Sequence, residues 1–167
     1  MAISMYQISV PVFLRHLKGL AGCLKKAQTH YADKKYDEST LLCYRFYPDM
    51  FNLVKQVQAA TDHARKCCAS LAGRDAPAYD DNEKSLAELI ARVEKAIADV
   101  NTFKPAEIDG SEDKSVTMKT RDRDLTFKGV ELLLNRSMPN FYFHTTTAYD
   151  IMRHNGVEIG KKDFMGG

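Results

Sequence analysis

The stretch MFNLVKQVQAATDHARKCCASLAG, residues 50–73, decides the architecture. Met50, Val54, Val57, Thr61, Ala64, Cys68 and Leu71 recur at alternating steps of four and three, which places them on one stripe of a helix. Asp49 stands where an N-cap belongs, with the helix starting near Pro48-Asp49, and Gly73 stands where a left-handed residue ends a helix. Such a helix is amphipathic and needs partners of the same kind.

The partners lie on both sides. Upstream, Val10, Leu14, Leu17, Leu24 and Tyr31 line one face of a helix from about Ser9 to about Ala32, with Pro11 tolerated in its first turn. A short helical piece over 38–44 follows Asp37, and 74–82 reads as a loop. A third helix runs from Ser85 to about Phe103, opened by a capping box, Ser85-x-x-Glu88, and supported by a Glu88–Arg92 pair. After a loop over 105–114, Val116, Met118 and Thr120, then Leu125 and Phe127, alternate with polar residues as two short strands joined over 121–124. A lone hairpin is marginal, so its apolar face must lean on the helices, and Phe127 is expected to be buried there. The fourth helix spans about 130–155 and contains Pro139, which either kinks it or divides it. The tail packs through Ile159 and Phe164. The expected fold is all-α, a four-helix bundle with a small β-hairpin between helices three and four, forming one domain over residues 1–167.

Composition narrows the function. The chain has 167 residues, 44% of them hydrophobic, with a net charge of only +2, which excludes intrinsic disorder and does not suit a nucleic-acid binder. No run approaches the roughly 18 apolar residues of a membrane span, and residues 1–7 do not read as a signal peptide. The four cysteines at 23, 43, 67 and 68 fit neither a zinc motif nor a disulfide framework, so reduced thiols in a cytoplasmic protein are expected. Charge is uneven: residues 1–72 carry +5, 73–116 carry −5 and 117–167 carry +2. Either the acidic middle complements the basic first half within the bundle, or these are solvated faces that never meet.

The chain contains no GxGxxG, P-loop, GxSxG or HExxH, so the informative residues are polar ones set among apolar stripes. His144 shares a helical face with Phe141, Ala148 and Ile151 and therefore points into the core, where its ring needs a partner. Asn140, one turn earlier, can meet His144 or repair the backbone beside Pro139. Asp49, Gln56 and His63 repeat every seven residues beside the stripe of the second helix. Tyr142, Phe143 and Tyr149 add aromatic mass around His144. His154 suits a helix C-terminus, His16 and His30 read as exposed or boundary residues, and Cys67 and Cys68 lack any activating partner. Gln56 and His144 are expected to approach one another in a cleft between helices two and four, because each would otherwise be buried alone.

Ser9-Val10-Pro11-Val12-Phe13, Pro48-Asp49-Met50-Phe51, Gln56, Pro139-Asn140-Phe141-Tyr142-Phe143-His144, Thr147-Ala148-Tyr149-Asp150 and the run 155–161 together resemble a bacterial family of unknown function within the DinB/YfiT-like helical bundles. The resemblance runs nearly end to end. It implies a four-helix bundle, often dimeric, in which relatives hold a metal by one histidine of the second helix and a His-x-x-x-His pair of the fourth; some relatives are metal-dependent thiol transferases. Here that pair reads Asn140-x-x-x-His144, and Ala148 cannot ligate. An Asn, Gln and single-His set is a poor zinc or nickel site, so no metal and no cofactor are expected. The expected function is small-molecule binding between helices two and four, with Asp49, Gln56, Asn140, His144 and Tyr149 as ligand-binding candidates. If the site is catalytic, His144 is its general acid or base, and whether it is an enzyme is left open. The alternatives are a metal-dependent transferase using His63 and His144, and a non-catalytic homodimeric interaction module. The expected partner is an unidentified small molecule, with no nucleic acid and no membrane.

Overall fold

A computed structural model describes residues 3–119 and 124–166, the side chain of Lys119 aside. Four long helices carry the fold: α1 (Val10–Lys34), α3 (Leu53–Ala72), α4 (Leu86–Asn101) and α7 (Met138–His154). The shorter elements are α2 (Glu38–Leu42), α5 (Pro105–Ile108), the strands β1 (Ser115–Lys119) and β2 (Asp124–Lys128), α6 (Gly129–Glu131) and α8 (Lys161–Phe164). α1 packs on α4, α4 on α3, α3 on α7 and α7 back on α1. In that ring the chain crosses a diagonal twice, from α1 to α3 and from α4 to α7. This is why those two connections are long and carry α2, α5 and the hairpin, whereas the α3–α4 loop joins neighbours. Among the described residues no helix is long and apolar enough to cross a membrane.

The core fills the ring with Phe13, Leu17, Leu24, Leu53, Val57, Leu71, Leu89, Val93, Phe141 and Ile151, all at most 1% exposed. Phe13 meets Phe141 edge to face, centroids 5.0 Å apart. On α1 the deep positions are Phe13, Leu17, Leu20 and Leu24, and Leu14 lies half-buried at their edge. α8 folds back onto α1, where Gly19 permits the contact: a Cβ there would come within 2.5 Å of the Phe164 carbonyl oxygen. Arg15 Nε donates to the Met165 carbonyl (2.9 Å) and Lys26 pairs with Asp163 (2.7 Å). His16 is buried in this contact between Phe141, Tyr142 and Phe164, not exposed or at a boundary. The tail that covers it could not be placed from α1 alone.

α3 begins at Leu53, not at Pro48-Asp49. Asn52 is the cap, accepting from Lys55 N–H at 3.0 Å, and Leu53 N–H donates to the Tyr44 carbonyl at 3.1 Å. Asp49 sits in the exposed turn before it. Ser85 caps α4 by accepting from Glu88 N–H (3.1 Å), while the Glu88 carboxylate reaches the backbone N–H of Lys84. The Glu88–Arg92 pair does not form. Arg92 turns inward to Glu83 (2.7 Å), Asp81 (3.0 Å), Asp62 (3.2 Å) and the Thr61 hydroxyl (2.9 Å). Arg65, also buried, pairs with Asp62 at 2.8 Å and donates to the Pro77 carbonyl. Both guanidinium groups lie over the Tyr79 ring, at 3.9 and 5.0 Å, whose hydroxyl donates to Asp99 (2.6 Å). The two arginines thus find their carboxylates largely within their own segments, and the basic first half meets the acidic middle through the exposed pairs Lys25–Glu94 (2.7 Å) and Lys55–Asp81 (3.7 Å).

The hairpin pairs Val116 with Phe127 and Met118 with Leu125. The connection expected over 121–124 falls on residues outside the described set, apart from Asp124, which opens β2. Val116 is buried, but Phe127 is only half-buried, with Arg136 over its ring at 5.6 Å. The region read as one helix around Pro139 is α6 and α7 with a π-helical segment between them, and Pro139 lies in the first turn of α7. Residues Leu132–Ser137 widen into a π-helical segment immediately before it, and Met138 N–H bonds the Leu133 carbonyl five residues back. Widening there relieves the clash a proline ring makes with the preceding turn.

Candidate functional site

The α3–α7 contact holds the polar groups. Gln56 lies in the second turn of α3 at 1% exposure, and His144 faces it from α7 at 8%. His144 Nδ1 and Gln56 Oε1 are 2.7 Å apart. Which atom donates follows from the other end of the amide: Gln56 Nε2 donates to the Phe51 carbonyl at 3.1 Å, so Oε1 is the end that faces His144 and can only accept. His144 therefore carries its proton on Nδ1. Nε2 keeps its lone pair and has no hydrogen-bond partner among the described residues. Burial holds the ring's pKa below the ordinary histidine value, so it is neutral at neutral pH.

Three rings set its position. Phe51 and His63 lie nearly parallel to it, at centroid distances of 6.1 and 5.7 Å, and Phe143 meets it edge-on at 5.3 Å. The His63 pKa is pushed down to about 4, first by burial and then by His144 and Arg136. Asp49, Met50, Phe51, Gln56, Phe143 and His144 line a cleft of about 310 Å³. A second, less open cavity of about 260 Å³ lies beyond His63, lined also by Cys67, Met118, Leu132 and Ser137. Phe51 and Phe143 leave 51% and 58% of their surface exposed, so the first cleft is walled by aromatic faces left open by the described residues.

Of the five ligand-binding candidates, the structure brings Asp49, Gln56 and His144 together and leaves two elsewhere. Asn140 Nδ2 donates to the Arg136 carbonyl at 2.7 Å, one turn back at the end of the π segment, so its amide is engaged by the backbone and does not line the cleft. Tyr149 packs against Phe164 at 5.7 Å on the α8 side of α7. Tyr142 likewise turns to His16 (5.0 Å). His154 packs against Tyr44, tilted, and Phe46, edge-on, both at 5.6 Å. The role of Phe51 was not readable from spacing. Its carbonyl orients Gln56 and its ring flanks His144, and both depend on the turn before α3. Cys67 and Cys68 are buried, which raises the Cys67 thiol to about 12 and Cys68 well above the ordinary value, so neither is a nucleophile.

The residues present do not fit the three-histidine metal centre that the resemblance implies. Only His63 and His144 supply imidazoles. Both ends of the Gln56 amide are engaged, Asn140 is bonded to the Arg136 carbonyl, and no group of three His, Cys, Asp or Glu among the described residues is arranged to hold an ion.

The chain is similar over its length to a solved structure described as a DinB family member protein from Shewanella denitrificans, with 38% sequence identity, 97% of this chain and 92% of that one covered, and a TM-score of 0.86. No curated protein matches it. The family described as "Domain of unknown function (DUF1993)" matches residues 5–165. With nearly the whole chain inside that match and the bundle shared with a DinB family member, the protein belongs to the DUF1993 family and is a DinB-like helical bundle.

Proposed function

We propose that the chain binds a small molecule in the cleft between α3 and α7, with His144 Nε2 accepting a hydrogen bond or a proton from it. The observation that carries this reading is the chain of bonds from the Phe51 carbonyl through Gln56 to His144 Nδ1, which fixes the tautomer of the buried ring and leaves Nε2 as its unpaired basic nitrogen. A purely structural histidine buried at the same place would have both nitrogens engaged or sealed. The cleft is the usual kind of ligand site, apolar walls around a few placed polar groups. The test is a fragment screen by thermal shift, with binders mapped by NMR. Hits should perturb His144, Phe51 and Phe143 together, and a His144→Phe variant should lose them. Hits that map elsewhere, or that survive in the variant, would contradict the reading. The second reading is a homodimeric module, favoured by the exposure of Tyr47, Phe51 and Phe143, which a second copy of the chain would cover equally well. Sedimentation over a range of protein concentrations separates the two. The chemistry of the donor set gives a metal-dependent thiol transfer no support here.

A further inference from the structure

We infer that the α3–α7 cleft selects a planar aromatic molecule bearing a neutral or cationic N–H or O–H donor, and rejects carboxylates and phosphates. The inference rests on the reading of the cleft as a small-molecule site and names what that site takes. Three observations carry it. First, the inner polar group is an acceptor: His144 lines the cleft with its Nδ1–H committed to Gln56, so what its ring has left to offer a ligand is the Nε2 lone pair. The Gln56 amide cannot flip to reverse this without losing its bond to Phe51, because Oε1 would then face the Phe51 carbonyl oxygen, acceptor against acceptor. Second, the lining contains one carboxylate, Asp49, and no lysine or arginine. An anionic head group would meet a lone pair and a negative charge with no counter-ion, whereas a donor or a cation satisfies both. Third, the walls are the half-exposed rings of Phe51 and Phe143, with the Met50 side chain beside them. Phe51 lies nearly parallel to His144, 17° between ring planes, so a flat ring covers the exposed faces with offset or edge contacts.

The probes are phenol, benzylamine, benzoate and phenyl phosphate, which share one ring and differ in the head group. Each is titrated near neutral pH into the wild-type protein, with the ring signals of His144, Phe51 and Phe143 followed by NMR. Phenol and benzylamine should shift all three rings and bind about tenfold or more tightly than either anion. The same series is run on Gln56→Met, whose fold is checked by circular dichroism and thermal melting. Without the amide the imidazole is free to carry its proton on Nε2, and the preference should shrink to about threefold or less. If that variant does not fold, the wild-type series decides alone. Benzoate binding in the cleft as tightly as phenol overturns the inference while leaving the small-molecule reading standing. Failure of every probe to shift the three rings overturns both. Ring shifts that follow protein concentration rather than probe mean that a second copy of the chain is the occupant, which also overturns it.

Discussion

A histidine on an apolar stripe announces its burial but not its protonation. His144 could be placed in the core from the spacing of Phe141, Ala148 and Ile151, and Gln56 could be set opposite from the heptad step between Asp49 and His63. What spacing could not supply was the Phe51 carbonyl, which orients the amide and through it the imidazole. The same burial makes the site sensitive to acid. His63 titrates near pH 4 in the folded chain, whereas the unfolded chain takes up that proton at the ordinary histidine value of about 6.5. Between those values the unfolded state binds more protons, so stability falls as pH is lowered through that window and is fully present above it. His16 and His144, both depressed by burial, act in the same direction. Urea unfolding at a series of pH values should show a loss of up to about 3 kcal/mol attributable to His63. A His63→Gln variant should flatten that part of the profile. An unchanged profile would mean that the ring is solvated and titrates normally.

The four long helices were legible because each carries an uninterrupted apolar stripe, and the hairpin because its residues alternate. The errors fall where two local solutions compete. Asp49 and Asn52 are both good caps, and the bond between Leu53 and Tyr44, a contact from outside the helix, selects Asn52. Pro139 permits a kink, a break or a widened turn, and the choice depends on what packs beside it. Asn140 follows from the local backbone: its amide bonds the Arg136 carbonyl and does not line the cleft with His144. Replacing it, Asn140→Ala, should cost about 1 kcal/mol by removing that hydrogen bond, and should leave the NMR signals of His144 where they are. A large shift of those signals would return Asn140 to the cleft. In the hairpin, half-burial of Phe127 lowers the expectation for Phe127→Ala from the 3 kcal/mol or more of a core ring to about 1–2 kcal/mol, read by denaturant unfolding. A loss above about 3 kcal/mol would show the ring to be fully enclosed.

Across the molecule, two buried arginines join what the sequence keeps apart. Arg65 on α3 and Arg92 on α4 gather Asp62, Asp81, Glu83 and the Tyr79 ring, and so fasten the α3–α4 connection to the bundle. Net charge by segment did not point to this network, whose pairs lie mostly within one segment, and the i,i+4 rule pointed Arg92 at Glu88, because a rule about exposed helix faces cannot foresee an inward turn. Arg92→Met should destabilise by about 3 kcal/mol or more, since Glu83 is left buried beside no cation, and should make residues 74–84 cleavable by trypsin under native conditions. A variant as stable and as protease-resistant as wild type would show the network to be incidental. The ring order α1–α4–α3–α7 in turn sets α3 against α7 as neighbours, which brings Gln56 to His144 across 88 residues of chain. That pairing is the centre of the account, and a long-range proton–nitrogen NMR correlation of the histidine rings tests it most directly. His144 should show a protonated Nδ1 and a bare Nε2 at neutral pH, and Gln56→Met should lose that bias. A proton on Nε2, or a fully protonated ring, would contradict it.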